Sequence, residues 1–410
     1  MWVARALLAA AVIAAAAHAD GSATTLLDSR PYLRGNGTYQ ETPVYEAFSV
    51  NTGTEGGDVL QDLRFVARGW GRLTLGDPFD GDRGTGDLDS AFLEGKLFKR
   101  HLTLRLGRQL AVGGALRATQ IDGATLRALI AGGIGFEAWG GVPVVPRFNE
   151  SVGGDLLGGA RLFWRHAFDT ELGASVIYVE KSHQLAREDV AFDGSYSYSR
   201  DLNLSGIAQW SLAEQRFEEG RLAMAWQPAR WMQLTLDGQR TAPDLFLDRN
   251  SIFAVFSDET RDEAGAELVL RPTSVFTLTG DYHWMKVMGG EGARASLLAT
   301  FKFPRAATWG AELRLLTQPD NGYKLARIFM IRPLLRALTL TLDLDAYWLE
   351  QAIVQAQKRA LSGTVTAAWT FSPSWDAMVA ATLGETPNFS QRTEIVARVA
   401  YRFGLPRGAP

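Results

Sequence analysis

The feature that most limits what this chain can become is a two-residue alternation that returns over nearly its whole length. In Leu338 to Leu349, LTLTLDLDAYWL, one parity holds Leu338, Leu340, Leu342, Leu344, Ala346 and Trp348, and the other holds Thr339, Thr341, Asp343, Asp345 and Tyr347. Successive side chains of a strand point to opposite faces, so the segment has one apolar face and one polar, charged face. Soluble half-buried strands usually alternate over about five or six residues. A strand tilted across roughly 25 to 30 Å of hydrocarbon needs about ten. The same chemistry recurs over residues 276–285, 293–303 and 361–371, where the apolar parity is Ala, Gly and Leu with aromatics near the ends, the pattern of side chains that sit at a membrane interface.

Other architectures fall away in turn. The most apolar stretch after the N-terminal region, Ala128 to Pro146, is interrupted by Glu137, Pro143 and several glycines, whereas a spanning helix needs roughly 20 mostly apolar residues. Residues 1–19, MWVARALLAAAVIAAAAHA, have a basic start at Arg5, an apolar run from Ala6 to Ala17 and a small-x-small site at Ala17-His18-Ala19. They read as a signal peptide cleaved before Asp20. Cysteine is absent, which excludes a disulfide scaffold, thiolate metal sites and a cysteine nucleophile. A formal charge of -3 gives no basic patch for nucleic acid. An exported chain with apolar strand faces and no spanning helix therefore reads as all-β, a single transmembrane up-and-down antiparallel β-barrel. Its location is then the outer membrane of a Gram-negative-type cell, with membrane lipid as its first partner.

Residues 20–58 are the least readable part, and are expected to be an N-terminal periplasmic or lumen segment with Val44 to Val50 as a short strand. Residues 59–410 are expected to be the barrel. Short turns built on proline recur at Pro228, Pro272, Pro304, Pro333 and Pro373, and between them lie longer or more polar connections such as Arg240 to Asp262. Short turns on one rim and longer loops on the other are the habit of such barrels. Keeping the short turns on one side requires a strand between Glu188 and Ser199, which gives about 20 strands. Eighteen follow if Ile134 to Gly141 and one neighbour are loop. The apolar Pro243 to Leu247 and Ile252 to Phe256 in the long loop predict that it folds into the mouth. The last strand ends its apolar parity in Tyr401 and Phe403, resembling the terminal strand by which the barrel-assembly machinery recognises such proteins.

On the polar parity the sequence places Arg64, Arg68, Arg72, Arg105, Arg294, Arg314, Arg398 and Arg402, together with Glu94, Lys96, Glu312, Asp343, Asp345 and Glu394. These are the expected pore-lining residues, through which an arginine-rich lumen would attract small anionic or sugar-like solutes. The alternative role is ion pairing that stiffens the wall. With the strand of Arg64, Arg68 and Arg72 taken as first and that of Arg398 and Arg402 as last, closure would join the five into one basic stripe. Catalysis is poorly supported: Asp281 and His283 share the polar parity, but no GxSxG or HExxH motif accompanies them. The acidic loop Asp77, Asp80, Asp82, Asp87 and Asp89 lacks EF-hand spacing, so no metal, cofactor or enzymatic activity is expected. Two functional classes remain, a passive channel and a structural or interaction barrel whose lumen is occupied by its N-terminal segment or a partner protein.

Arg105-Leu106-Gly107-Arg108-Gln109, followed by Ile121-Asp122-Gly123 at the next strand, resembles the "RxGRQ … FDG" pairing of alginate-export-type and related porin-like barrels, with Ile121 in place of the aromatic. The resemblance spans about 25 residues and implies a monomeric passive channel with a charged lumen. It does not bring the alginate substrate with it.

Overall fold

The structure is a computed structural model that describes residues 19–34, 37–55, 57, 59–76, 83–144, 155–166, 170–242, 260–287, 289–303, 306–319, 321–352, 358–386 and 389–403. The described chain forms β1 (Ala19–Arg34), β2 (Gly37–Glu55), β3 (Leu60–Gly76), β4 (Gly84–Leu97), β5 (Leu102–Gly113), β6 (Leu116–Leu129) and β7 (Ile134–Pro143). It continues through β8 (Leu156–His166), β9 (Thr170–Lys181), β10 (Gln184–Ser199), β11 (Leu202–Ser211), β12 (Arg216–Ala229), β13 (Met232–Thr241) and β14 (Arg261–Leu270). The last are β15 (Phe276–Val287), β16 (Gly290–Lys302), β17 (Thr308–Thr317), β18 (Tyr323–Pro333), β19 (Leu338–Leu349), β20 (Arg359–Ser372), β21 (Trp375–Thr386) and β22 (Phe389–Phe403).

Each strand pairs antiparallel with its sequence neighbours, and β1 pairs with β22 from Gly21 opposite Phe403 to Ser29 opposite Ile395. The sheet is therefore closed, an up-and-down barrel of 22 strands. Expectations of about 20 or 18 fall short because the described residues of 20–58, expected as a periplasmic or lumen segment, form β1 and β2, paired to each other and to β22 and β3. Their alternation is weak because both faces carry small polar residues, and a hydrogen bond from Thr25 Oγ1 to Glu46 Oε2 (2.6 Å) lies on the face that elsewhere is apolar. The strand demanded by turn parity is β10, and the doubtful Ile134 segment is β7.

The two faces separate cleanly. Large exposed apolar side chains such as Leu93, Leu106, Leu162, Leu222, Leu313, Leu361 and Leu383 lie on one parity, while buried Glu94, Glu137, Asp189, Glu263 and Glu312 lie on the other. Register carries each polar parity across the wall: Arg64, Glu94, Arg105 and Thr125 stand in one row on β3 to β6. Because charged side chains converge there from several strands, the polar face is the concave one. The start of β1, the end of β22 and the described turns at Pro272, Pro333 and Pro373 lie at one end of the barrel, the turn rim. The strands on either side of the longest connections, such as β13 and β14, meet the opposite loop rim. Aromatic pairs mark the turn rim on the convex face: Trp375 with Tyr401 and Trp369 with Phe371 at 4.6 Å between centroids, and Phe276 with Phe301 at 4.7 Å.

Candidate permeation site

The wall does not run at one radius. Pairing of β4 with β5 stops at Ala91 opposite Arg108, although β5 continues to Gly113. From there the β5–β6 hairpin turns into the barrel. Glycine permits the bend: Gly107 has φ +122°, and a Cβ on it would lie 2.3 Å from the Ala91 carbonyl oxygen, while a Cβ on Gly123 opposite would lie 2.1 Å from that of Gly140. Ala111, Ala115, Leu116 and Ile121 of the hairpin pack with Trp139, Leu157, Ile177, Val179 and Ala191 on the concave face of β7 to β10. Leu116 and Ile121 are among the most buried side chains of the protein, each contributing about 1.5 to 3 kcal/mol by area. Three polar contacts fasten the tip. The Ala115 N–H donates to Ser175 Oγ at 2.7 Å, Gln209 Nε2 donates to the Ala115 carbonyl at 3.4 Å, and Arg117 Nη2 meets Glu219 Oε2 at 2.6 Å. Close approach requires Gly114, whose added Cβ would stand 2.1 Å from Ser175 Oγ.

On the turn-rim side of the hairpin lies a cavity of about 760 Å³, lined by β6 and β8 to β12. Its floor is an ion network on facing strands. Arg161 donates Nη1 to Glu171 Oε1 (2.7 Å) and Nε to Asp193 Oδ1 (3.0 Å), and Nη1 stands 3.4 Å from Glu137 Oε2. Arg127 meets Glu137 at 2.7 Å, and Arg165 meets Glu171 at 2.6 Å. Three guanidiniums face three carboxylates, so the patch is strongly charged and locally neutral. The Phe163 ring lies 4.8 Å from Arg127, 5.3 Å from Arg161 and 5.9 Å from Arg165, a cation–π platform. Glycines make the room: a Cβ on Gly135 would strike the Phe163 ring at 2.1 Å, and one on Gly173 the Arg161 Nε at 2.5 Å.

The residues singled out from sequence stand on concave parities, distributed around the wall. Arg105 Nε binds Glu94 Oε2 at 2.6 Å with Arg64 across the row, and Lys96 reaches Asp62 at 3.5 Å. Arg314 meets Glu312 at 2.5 Å; Arg327, which periodicity did not mark out, binds Asp343 through Nε at 2.9 Å and lies 3.7 Å from Asp345 and 3.5 Å from Glu312. Arg398 and Arg402 share Asp376, at 3.1 and 2.5 Å. Glu394 is buried opposite Thr382. Arg294 lies 3.7 Å from Asp281 and 3.8 Å from Glu263. Arg68 is exposed on the concave face between Ser49 and Ser90, and Arg72 stands opposite Tyr45.

The single basic stripe does not form. With β1 and β2 intervening, Arg398 and Arg402 lie opposite Leu26 and Ser22, and two strands separate them from Arg64, Arg68 and Arg72. His283 does not face Asp281 as an acid–base pair; its Nδ1 is 3.4 Å from Glu263 and 3.7 Å from Asp237, while Asp281 accepts from Ser296 Oγ. Among the described residues no cluster suits a metal ion. The inward-folding loop expected of Arg240 to Asp262 falls mainly on residues outside those described, as do Asp77, Asp80 and Asp82, residues 1–18 and the tail 404–410. The infolded hairpin and the Arg161 network were not anticipated. The signals available were three polar residues on an apolar parity, Arg108, Gln120 and Asp122, and the glycines at 113 and 114.

The motif strings also acquire a mechanical meaning. Arg108 makes two bonds to Asp122, Nε to Oδ1 and Nη2 to Oδ2, both at 2.8 Å. Gln109 is buried, accepting from Thr125 Oγ1 at 2.9 Å and donating to the Gly123 carbonyl at 3.3 Å. Together they pin β5 to β6 where the hairpin bends.

No family model matches the sequence, and no curated protein matches it. Solved structures do match its shape. The translocation pore of the P pilus usher PapC superposes with a TM-score of 0.57 at 10% identity, covering 94% of this chain and 99% of that one. A BenF-like porin from Pseudomonas fluorescens Pf-5 gives 0.50 at 12% identity over 94% and 97%, and the outer-membrane protein OpdK from Pseudomonas aeruginosa gives 0.48 at 11% over 94% and 98%. At these identities the likeness is one of fold, that of a large closed antiparallel β-barrel.

Proposed function

We propose that this chain is an outer-membrane channel for the passive diffusion of small hydrophilic solutes. The observation that carries the reading is a closed barrel whose charged concave face is narrowed, by the infolded β5–β6 hairpin, above a cavity of about 760 Å³. Its fold likeness to a BenF-like porin supports the same reading. In this reading residues 1–19 are removed on export, β22 is presented to the assembly machinery, and no catalytic step is involved. The alginate-export-type resemblance supports a channel and leaves the substrate open.

Selectivity in this reading is a modest anion preference. Most concave arginines lie in close ion pairs; Arg68 is exposed between two serines with Asp89 near enough to feel its charge, and a charge beside a low-dielectric wall projects its field into the pore. Reversal potentials across a salt gradient in planar bilayers test it. The wild type should prefer anions, less so at 1 M salt, where screening shortens to about 3 Å, and Arg68→Ser should shift the preference toward cations. Cation preference in the wild type would overturn the assignment. The alternative barrel, filled by its own N-terminal segment, loses its occupant because residues 20–58 supply β1 and β2. An infolded hairpin in the lumen also leaves less room for a partner protein to occupy it.

A further inference from the structure

Among the described residues, no backbone ladder closes the wall above the last β4–β5 pair. The stretch of β4 from Gly84 to Ser90 has no β5 partner, because the hairpin has receded into the lumen. Among the described residues, side chains meet that edge instead. Arg108 Nη1 donates to the Leu88 carbonyl at 3.3 Å, and Gln120 Nε2 donates to the carbonyls of Leu88 and Asp89 at 3.3 and 2.7 Å. Arg108 is held in turn by Asp122. All three polar residues occupy the parity that elsewhere meets lipid, where an ion pair has no ordinary use.

The height of this seam matters. Ala91 lies six steps from Leu97 at the turn-rim end of β4. With a rise of 3.3 to 3.4 Å and a tilt near 45°, that is about 14 Å, roughly half the hydrocarbon thickness. The seam thus runs through the half of the wall nearer the loop rim. Open backbone edges are not tolerated in hydrocarbon, so the side chains close it at rest. Opening it needs only changes of side-chain rotamer, which are fast, whereas a ladder must unzip. Beside it on the hairpin, Leu110 opposite Gln120 and the nearby Val112 are 57% and 64% exposed, outside the packed face. The seam therefore joins a polar lip to an apolar floor.

We propose that this seam is a lateral portal, through which amphipathic solutes with a polar head and a short apolar body pass between the lumen and the outer leaflet. The proposal rests on the channel reading, but its test is separate from ion conductance. In a chain without cysteine, Leu110→Cys in liposomes is exposed to a membrane-impermeant sulfonated maleimide, or to a maleimide carrying an eighteen-carbon chain dissolved in the bilayer. Leu106→Cys serves as the lipid-facing control and Arg68→Cys as the lumen control. The portal requires Leu110→Cys to react with both reagents, and Gln120→Ala, added to it, to raise the bilayer reaction severalfold while leaving the Leu106→Cys rate unchanged. Reaction with only the aqueous reagent, reaction with only the bilayer reagent, or a bilayer rate indifferent to Gln120→Ala would each overturn it. A conducting protein that fails this test remains a channel without a portal, and a non-conducting protein that passes it keeps the portal and loses the channel.

Discussion

Arg161 is 5% exposed and stands among Glu137, Glu171 and Asp193. Removing one member of such a buried group leaves the others uncompensated, at a cost of about 3 to 5 kcal/mol. Arg161→Ala should therefore lower unfolding stability in liposome-based denaturant titrations by several kcal/mol. Arg165→Ala, whose side chain is 47% exposed, should cost about 0 to 1 kcal/mol. Equal losses would mean that the network does not act as a unit. At this scale the sequence was half legible. Alternation assigns Arg161 to the concave face of β8, but its carboxylates come from β7, β9 and β10, and only register brings those rows together. The same limit hid Asp376 as the shared partner of Arg398 and Arg402.

Among the elements, the β5–β6 hairpin departs most from what periodicity shows. Its alternation is interrupted at the bend only by Arg108, Gln120 and Asp122 on the outward parity: Gln109 and Ala111 face the core it makes with β7 to β10, while Leu110 and Val112 keep the apolar parity of a lipid-facing strand. Three polar residues on one parity mark a break, but only register shows that the strand pair leaves the wall there. The departure rests on glycine, and so does its test. Gly114→Val places side-chain carbons where Ser175 Oγ now lies, which should push the tip off β9 and raise single-channel conductance with little loss of stability in the rest of the wall. Arg117→Ala, which removes the contact with Glu219, should act in the same direction more weakly. Conductance unchanged in both variants would show that the hairpin does not set the narrowest section.

For the whole molecule, the alternating pattern identified the class of fold, with the β10 strand reached only through turn parity and the β7 segment left doubtful. β1 was not read as a strand and β2 was read only as Val44 to Val50; both lack contrast between faces, with Thr25 and Glu46 outward and Leu26 inward. The face assignment has a direct energetic test. Leu344 is outward and 58% exposed at the middle of β19, so Leu344→Arg should cost about 2 to 4 kcal/mol in folding titrations into liposomes, whereas Thr341→Arg on the concave face should cost little. Equal penalties would reverse the assigned faces.

The pairing of β1 with β22 also carries a consequence in time. Gly21 finds its neighbour in Phe403, so the contact that completes the wall joins the first described strand to the last. Every other pair could form between sequence neighbours as the polypeptide arrives, but this one waits for β22. Until then two strand edges stand open, each able to recruit a foreign strand, and the most distant contact sets a slow last step. A chain built this way is vulnerable for the whole interval of its delivery, and that interval ends only when its last strand meets its first.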